Sequence, residues 1–354
     1  MKVLVSFQPN TKILDYEGAR LRKTIKGSLE MIGVEYTTSL VEKYDVVHLL
    51  SPEDESKMND AKENNIPVVV SALYCEADPY ASYLEYKSKD GVRVTRLSDK
   101  GRRFLNKADL VLVASEKMRN LLVDSGVTTD VSIALPGLNV SRFDFSREDE
   151  KTLFYRYFRE DPKKRLVVGV GEYDINMDGI NAFVNAARTC PDVLFYFIGR
   201  ETVPGAYSSL KTKKLISSAP KNLKFVTVVP DDIYRSALLN ACAYVIPGYK
   251  TAGVMSMIDA MGAKCQIIAR KQAVFSDLLL DGKTAYLGEF SETISALIRD
   301  FLNGKLKPTI EEAHQFVSEK CNLKTVGEQL KWFYLEQINL KKITEQGEDD
   351  YDRH

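Results

Sequence analysis

Short apolar stretches rich in β-branched residues alternate along this chain with longer stretches of helical spacing. The alternation is typical of parallel strands covered by helices on both faces, so it predicts an α/β protein with two doubly wound halves. In the first half we predict strands at 3–7, 46–50, 68–73, 110–114 and 131–134, and helices at 18–31, 53–64 and 116–125. In the second half we predict strands at 166–171, 194–199, 223–228, 243–246 and 266–269, and helices at 179–189, 231–240 and 254–262.

The two halves are predicted to meet in the charged stretch between Pro136 and Arg165, where the alternation gives way to polar residues. Beyond Leu323 the apolar residues again have helical spacing, which indicates a final helix that packs against the body. The last residues are acidic and poor in apolar side chains, and we expect them to be disordered. We therefore divide the chain into an N-terminal domain at 1–150, a C-terminal domain at 151–325, a C-terminal helix at 326–343 and a tail at 344–354.

Composition narrows the function classes. The 354 residues suit two domains that each bury a core. The 49 basic and 49 acidic residues give a net charge of zero, so no overall field favours nucleic acid as a partner. The five cysteines form no Cys-x-x-Cys pair and the N-terminus resembles a strand rather than a signal peptide, so we expect a cytoplasmic location. The three histidines lack metal-ligand spacing, so we expect no metal.

Membrane contact is expected to be peripheral, at the inner face, because no apolar run approaches the roughly 20 residues that cross a bilayer. The stretch Lys100–Lys107 interleaves cations with Phe104 and Leu105, as membrane-surface helices do. An ordinary solvated helix face explains the same pattern. Both interpretations stay open.

One window carries the most specific signal: Pro247 to Gly262 reads PGYKTAGVMSMIDAMG. Six further segments accompany it, namely DVVH at 45–48, ADLVLVASE at 108–116, GLNVSRF at 137–143, VGVG at 168–171, PDVLF at 191–195 and DGKTAY at 281–286. In order and spacing they resemble the family-4 retaining glycosyltransferases of the GT-B fold, most closely the Gram-positive branch that adds sugars to diacylglycerol glycolipids. The resemblance covers nearly the whole chain. It implies two Rossmann-like domains facing a cleft, a UDP-sugar as donor or ligand, and no metal cofactor.

The resemblance assigns the donor site to this window, where the family has two glutamates eight positions apart. The first contacts the donor sugar and falls on Thr251, which cannot supply a carboxylate and also suits a helix N-cap. The second binds the nucleotide ribose and falls on Asp259, which keeps the charge on a side chain one methylene shorter. The backbone amides of Ala252, Gly253 and Val254 are candidates for binding a phosphate, because a helix is predicted to start there.

The family also places positive groups near the donor diphosphate, and the candidates here are few. Gly18 and Arg20 stand where the family has a Gly-x-Gly-Arg loop, and Gly171 ends the first strand of the second half. Arg270 and Lys271 follow another strand of that half, although surface exposure is the simpler explanation for them. We expect phosphate contacts from this set, because positive charge stabilises a departing diphosphate.

Carboxylates stand at two further places in the expected site. Glu172, Asp174 and Asp178 lie near the predicted diphosphate position, and they would repel a diphosphate rather than neutralise it. The family's histidine-rich acceptor-side segment aligns with SALYCEAD, which contains Glu76 and Asp78 as acceptor-side candidates. An acidic loop at the end of a strand explains these two residues without a function.

Two functional hypotheses follow. The altered site favours a catalytically degenerate glycosyltransferase-like protein that binds a nucleotide, a glycan or a partner glycosyltransferase. The alternative is an active retaining transferase that moves sugar from a UDP-sugar to a lipid or glycan acceptor. In that case Asp259 holds the ribose, and Arg20, or Arg270 with Lys271, binds the phosphates. A homo-oligomer is open under either hypothesis.

Overall fold

The computed structural model of the chain describes residues 1–6, 16–50, 55–72, 83–87, 93–144, 148–172, 177–200, 210–227, 229–248, 254–271, 275 and 278–351. The strands are β1 (Lys2–Ser6), β2 (Glu35–Thr37), β3 (Val46–Leu49), β4 (Val68–Ser71), β5 (Tyr83–Lys87), β6 (Arg93–Leu97), β7 (Leu110–Val113), β8 (Val131–Ile133), β9 (Leu166–Glu172), β10 (Leu194–Arg200), β11 (Leu223–Val226), β12 (Ala241–Ile246), β13 (Gln266–Arg270) and β14 (Tyr286–Gly288). The helices are α1 (Tyr16–Met31), α2 (Glu55–Glu63), α3 (Asp99–Leu105), α4 (Glu116–Asp124), α5 (Glu148–Lys151), α6 (Leu153–Phe158), α7 (Met177–Thr189), α8 (Leu210–Ser217), α9 (Asp231–Asn240), α10 (Val254–Gly262), α11 (Ser291–Leu302), α12 (Ile310–Lys320) and α13 (Leu323–Tyr351).

The chain divides into two compact units: Met1–Gly137 together with Lys320–His354, and Leu138–Glu319. The division falls inside the predicted junction but earlier than the predicted boundary after residue 150. A physical reason is that Leu138 and Phe143 pack against Gly262 of the second unit, where a Cβ would lie 2.5 Å from the Leu138 side chain. Burial of these two apolar side chains draws the start of the linker into the second unit.

The first unit contains a six-stranded parallel sheet in the order β2-β1-β3-β4-β7-β8. Its central strands β3 and β4 are buried along their whole length, as expected for a sheet covered on both faces. The order reverses between β1 and β3, as in other doubly wound sheets. The unit also contains β2 and an antiparallel pair, β5 with β6, which the sequence analysis did not predict.

The C-terminal helix α13 returns to the first unit and packs along α1. Its buried face consists of Val326, Leu330, Phe333, Tyr334 and Gln337, in agreement with the predicted helical spacing. The structure assigns helix as far as Tyr351, beyond the helix end predicted at residue 343. Intrahelical hydrogen bonds are local, so a helix already anchored by its buried face continues through the polar residues that follow.

Gly327 sets how closely α1 and α13 approach, because a Cβ at this position would lie 2.3 Å from the Ser28 carbonyl oxygen. We therefore expect Gly327→Ala to lower the free energy of unfolding of the first unit by about 2 kcal/mol, despite the better helix propensity of alanine. Urea denaturation monitored by circular dichroism measures this difference. Glu328→Ala, at the exposed neighbouring position, is the control and is expected to change stability little. Equal stability of the two variants would contradict the close packing.

The second unit contains a parallel sheet in the order β11-β10-β9-β12-β13-β14. The strand order reverses between β9 and β12. Phe183, Phe195 and Phe197 form the centre of its core and are fully buried. Gly169 on β9 admits these rings, because a Cβ there would lie 2.8 Å from Phe183 and 3.0 Å from Phe197. The predicted α/β class with two doubly wound halves is thus confirmed.

Candidate functional site

The candidate site lies at the carboxyl ends of β9 and β12, where the strand order of the second unit reverses. Doubly wound sheets bind their ligands outside the strand ends at such a reversal. Gly171, near the end of β9, has a φ of +153°, which residues with side chains rarely adopt. Gly179 in α7 lies directly against the end of β12, because a Cβ there would be 2.8 Å from the Pro247 carbonyl group. Helix α7 therefore lies in close contact with the end of β12 at this edge.

Helix α10 follows β12 and is buried at all nine of its positions. Its residues are apolar on nearly every face, which is typical of a helix that packs on a sheet and is covered by other elements. Val254, the first residue of the helix, is a predicted phosphate-binding position and is buried. A carboxylate in such a helix needs a partner, because an unpaired buried charge is costly.

Asp259 is the fully buried carboxylate of α10, and Arg142 is a partner. Arg142 Nη1 lies 3.4 Å from Asp259 Oδ1, and Arg142 Nη2 donates to Asp231 Oδ1 at 2.7 Å. Arg235 Nε in turn donates to the Arg142 carbonyl oxygen at 2.8 Å, which fixes the backbone from which the guanidinium extends. The guanidinium thus joins the buried acid on α10 to an exposed acid at the start of α9.

Arg142 was missed as a site residue by the sequence analysis. The signal was present, because Arg142 belongs to the GLNVSRF segment that carries part of the family resemblance. In the structure this segment forms a 3₁₀ turn, Val140–Phe143, and Phe143 packs against the end of α10 at Gly262. The motif therefore brings a cation to the acid of a second motif more than 100 residues away in sequence.

Arg270 is buried and does not lie on the surface, so surface exposure is not the explanation for this residue. Its guanidinium donates to the carbonyl oxygens of Pro247 and Glu289, each at 2.8 Å, and to Ser291 Oγ at 3.2 Å. It thereby ties the end of β12 to the start of α11. Lys271 is exposed and its backbone amide donates to Gly288, which extends the β13–β14 pairing.

We expect Arg270→Lys to lower the free energy of unfolding of the second unit by about 2 kcal/mol, because lysine keeps the charge but cannot reach all three acceptors. Chemical denaturation measures the change. Lys271→Gln is the matched control and is expected to stay within about 0.5 kcal/mol of the wild type. If Arg270→Lys instead left the free energy of unfolding unchanged and weakened only the binding of UDP, the result would favour the phosphate-binding role predicted from the sequence.

The remaining predicted site residues are distributed as follows. Gly18 and Arg20 lie in the first turns of α1 in the first unit, and the Arg20 side chain is half-buried. Asp178 is the second residue of α7. Outside the described residues lie Thr251, Ala252, Gly253, Glu76, Asp78 and Asp174.

The basic stretch Lys100–Lys107 does not form an apolar membrane face. Phe104 and Leu105 are both buried in α3, and Arg102 pairs with Asp99 at 3.1 Å. This favours the solvated helix face. Over the ranges that the structure describes, no three His, Cys, Asp or Glu side chains are grouped as metal ligands, and no helix has the length and apolarity to span a bilayer.

A buried hydrogen-bond chain in the first unit was also missed. His48 Nδ1 and Tyr334 Oη are 2.7 Å apart, and His48 Nε2 and Ser71 Oγ are 2.8 Å apart. Burial lowers the pKa of His48 from its usual 6.5 to about 3, so the ring is neutral at pH 7. A neutral imidazole donates from one nitrogen and accepts at the other, and both hydroxyls can serve either role. The chain therefore satisfies the ring and connects β3, β4 and α13.

Comparisons with known proteins agree with this architecture. No protein-family model matches the sequence. The chain is 25% identical over 97% of its length, and over the whole of the relative, to a processive diacylglycerol alpha-glucosyltransferase of Acholeplasma laidlawii. It is 23% identical to an alpha-galactosylglucosyldiacylglycerol synthase of Streptococcus pneumoniae, over 54% of this chain and 52% of the relative.

Two solved structures show the same fold across both chains. Sucrose-phosphate synthase from Thermosynechococcus elongatus has a TM-score of 0.71 at 13% identity, covering 96% of this chain and 99% of that one. Anabaena Alr3699/HepE in complex with UDP-glucose has a TM-score of 0.70 at 12% identity, covering 95% and 99%. At such identities the structural likeness speaks for the fold, and the full-length sequence relative adds the glycolipid branch. The chain therefore has the GT-B fold, and its sequence resembles the GT4-like glycosyltransferases near the Gram-positive glycolipid synthases.

Proposed function

We propose that the protein is an active retaining glycosyltransferase that moves a hexose from a UDP-sugar to diacylglycerol or to a glycosylated diacylglycerol. The observation that carries this proposal is Asp259, a buried carboxylate with a cation partner at the position where the family binds the nucleotide ribose. Burying an acid is costly, and a hydrophobic core would not require one at this position. The presence of Asp259 supports a donor site in which the second of the two family acids still binds a ligand.

In the proposed site the Asp259 carboxylate accepts hydrogen bonds from the ribose hydroxyls, and Arg142 holds the carboxylate in position. The backbone amide of Val254, the first residue of α10, donates to a phosphate oxygen, because the positive end of the helix dipole lies there. Backbone amides are independent of the Thr251 substitution. This donor set thus replaces part of the charge that the family supplies through side chains.

The proposed reaction breaks the bond between the sugar C1 and the β-phosphate oxygen and forms a bond from C1 to an acceptor hydroxyl oxygen. The hydroxyl proton leaves with the UDP phosphate, so the charges balance without a redox partner. Hydrogen-bond donors aimed at the departing phosphate lower the barrier most, because the negative charge develops there. The donors of the site are therefore expected to affect turnover as well as binding.

The second candidate function is a degenerate protein that binds a nucleotide or a partner glycosyltransferase without transfer. The observation in its favour is Thr251, which removes one of the two acids of the family signature. The relatives that the chain matches carry the names of enzymes, a glucosyltransferase and a synthase, which favours the active transferase over the degenerate protein.

The test uses the purified full chain with radiolabelled UDP-glucose or UDP-galactose, and with diacylglycerol or glucosyldiacylglycerol in detergent micelles. We expect label in the lipid fraction for at least one donor and acceptor pair, and none when the acceptor is omitted. Calorimetric binding of UDP without any transferred label would support the degenerate protein instead. The absence of both binding and transfer would remove both functions.

A further inference from the structure

One face of α13 combines exposed apolar side chains with lysines. Trp332, Leu335 and Ile343 are 58%, 40% and 64% exposed, although the opposite face of the same helix is buried against the first unit. At 3.6 residues per turn these three side chains fall within about 80° of one another around the helix. Lys331 and Lys342 lie next to them on one flank and are exposed. We call these five residues the Trp332 surface.

The lysines of the Trp332 surface are available for an external anion. Neither Lys331 nor Lys342 has an ion-pair or hydrogen-bond partner within the described part of the chain. The nearest acids on the helix do not pair with these two lysines. Glu328 pairs with Lys324 at 4.0 Å, and Glu336 lies towards the opposite flank of the helix. Lys341, by contrast, points inward and pairs with Asp109 at 3.3 Å. The outward face therefore carries two cations beside an indole and two aliphatic side chains.

We propose that the Trp332 surface docks the protein on an anionic lipid bilayer. Indole rings favour the interface between headgroups and acyl chains, aliphatic side chains gain by entering the acyl region, and lysines are attracted by acidic headgroups. The inference rests in part on the proposed function, because a diacylglycerol acceptor lies in a bilayer. It is also independent of the basic stretch at 100–107, whose apolar side chains are buried.

The acidic run Glu345–Asp350 follows the Trp332 surface in the sequence. The electrostatic attraction to an anionic bilayer is therefore confined to the part of the helix that precedes this run. An anionic bilayer repels those carboxylates. Replacing Glu348, Asp349 and Asp350 by their amides is therefore expected to strengthen binding, by about fivefold for each charge that lies near the surface.

The chain contains a single tryptophan, so its fluorescence reports on this surface directly. The full chain is mixed with vesicles of phosphatidylglycerol and phosphatidylcholine that carry brominated acyl chains. We expect a blue-shifted emission and quenching by the brominated lipid, weakened by high salt, and little signal with phosphatidylcholine alone. Leu335→Gln with Ile343→Gln is expected to weaken partitioning about tenfold or more. Val41→Gln, at a 96% exposed apolar position on another part of the unit, is the control and leaves partitioning unchanged.

The outcomes separate this inference from the proposed function. Transfer to an acceptor in detergent micelles is expected to be unaffected by Leu335→Gln with Ile343→Gln, whereas transfer to an acceptor in vesicles falls. If the brominated lipid quenches the fluorescence of a protein that transfers no sugar, the Trp332 surface is still a bilayer-docking surface but the proposed transferase function is wrong. Partitioning that is absent, or equal in the double variant and the wild type, overturns the proposal. A lipid-independent dimer that the double variant abolishes would also overturn it and make a second copy the occupant.

Discussion

Asp259→Asn is expected to lower kcat/KM for the UDP-sugar about 100-fold, mainly through KM. The amide keeps the shape of the side chain but removes the charge that the proposed ribose hydrogen bonds and Arg142 both require. The ribose lies away from the reacting bond, so its contacts are expected to be similar in the ground state and the transition state. Initial rates at varied donor concentration, together with calorimetric binding of UDP, measure the effect.

Asp231→Asn provides the matched control, because Asp231 accepts from the other nitrogen of the same guanidinium. Its side chain is 60% exposed, so its ion pair is screened by water and its removal is expected to change kcat/KM less than about threefold. Equal effects of the two substitutions would indicate that both acids act only on the position of Arg142. An unchanged affinity for UDP in Asp259→Asn would show that this carboxylate belongs to the framework.

Acidification is expected to destabilise the first unit through His48. The pKa of the folded state is about 3 and that of an exposed histidine is 6.5, so the unfolded chain binds more protons between these values. The stabilisation is complete above about pH 6.5 and is lost as the pH falls, by about 1.4 kcal/mol per pH unit and up to about 5 kcal/mol at pH 3. Urea unfolding at a series of pH values measures this slope.

His48→Asn is the variant that isolates this contribution, because asparagine forms hydrogen bonds but does not titrate. Its free energy of unfolding is expected to be lower than that of the wild type at pH 7. As the pH falls, this free energy is expected to decrease less steeply than in the wild type, and the difference in slope corresponds to about one bound proton. His314→Gln, in the second unit, is the control, and the unfolding free energy of the first unit is expected to change with pH in this variant as it does in the wild type. The same slope in His48→Asn and the wild type would assign the acid sensitivity to carboxylates instead.

Hydrophobic spacing predicted the parallel strands at the centre of each sheet well, but it missed the antiparallel pair β5–β6 and the three-residue strands β2 and β14. β9, β10, β12 and β13 form the centre of their sheet, and their continuous apolar runs identify them. In β5 (YLEYK) and β6 (RVTRL) charged residues interrupt the apolar ones, and within the described part of the chain the two strands pair with each other, so no continuous apolar run marks them. The three-residue strand β2 is too short for a spacing to appear. Burial on both faces is thus the physical property that the sequence pattern reports.

The candidate site was only half predictable for a related reason. Asp259 was found through its place in a motif, but its partner Arg142 comes from a distant segment, and a sequence does not state which charges meet. Arg270 was predicted as a phosphate ligand or a surface residue, whereas the structure shows it bound to two carbonyl groups and a hydroxyl. Because these contacts cross between elements, only the folded chain reveals them. The roles of Gly18, Arg20, Glu76 and Asp78 stay predictions.

The linkage in the lipid product tests the proposed retaining transfer most directly. The purified chain is incubated with UDP-glucose and diacylglycerol, and the anomeric proton of the extracted lipid is examined by nuclear magnetic resonance. A retaining transferase keeps the α configuration of the donor, so we expect an α-glucosyl lipid. A β-linked product, or no glycosylated lipid from a folded protein supplied with either UDP-glucose or UDP-galactose, would contradict it.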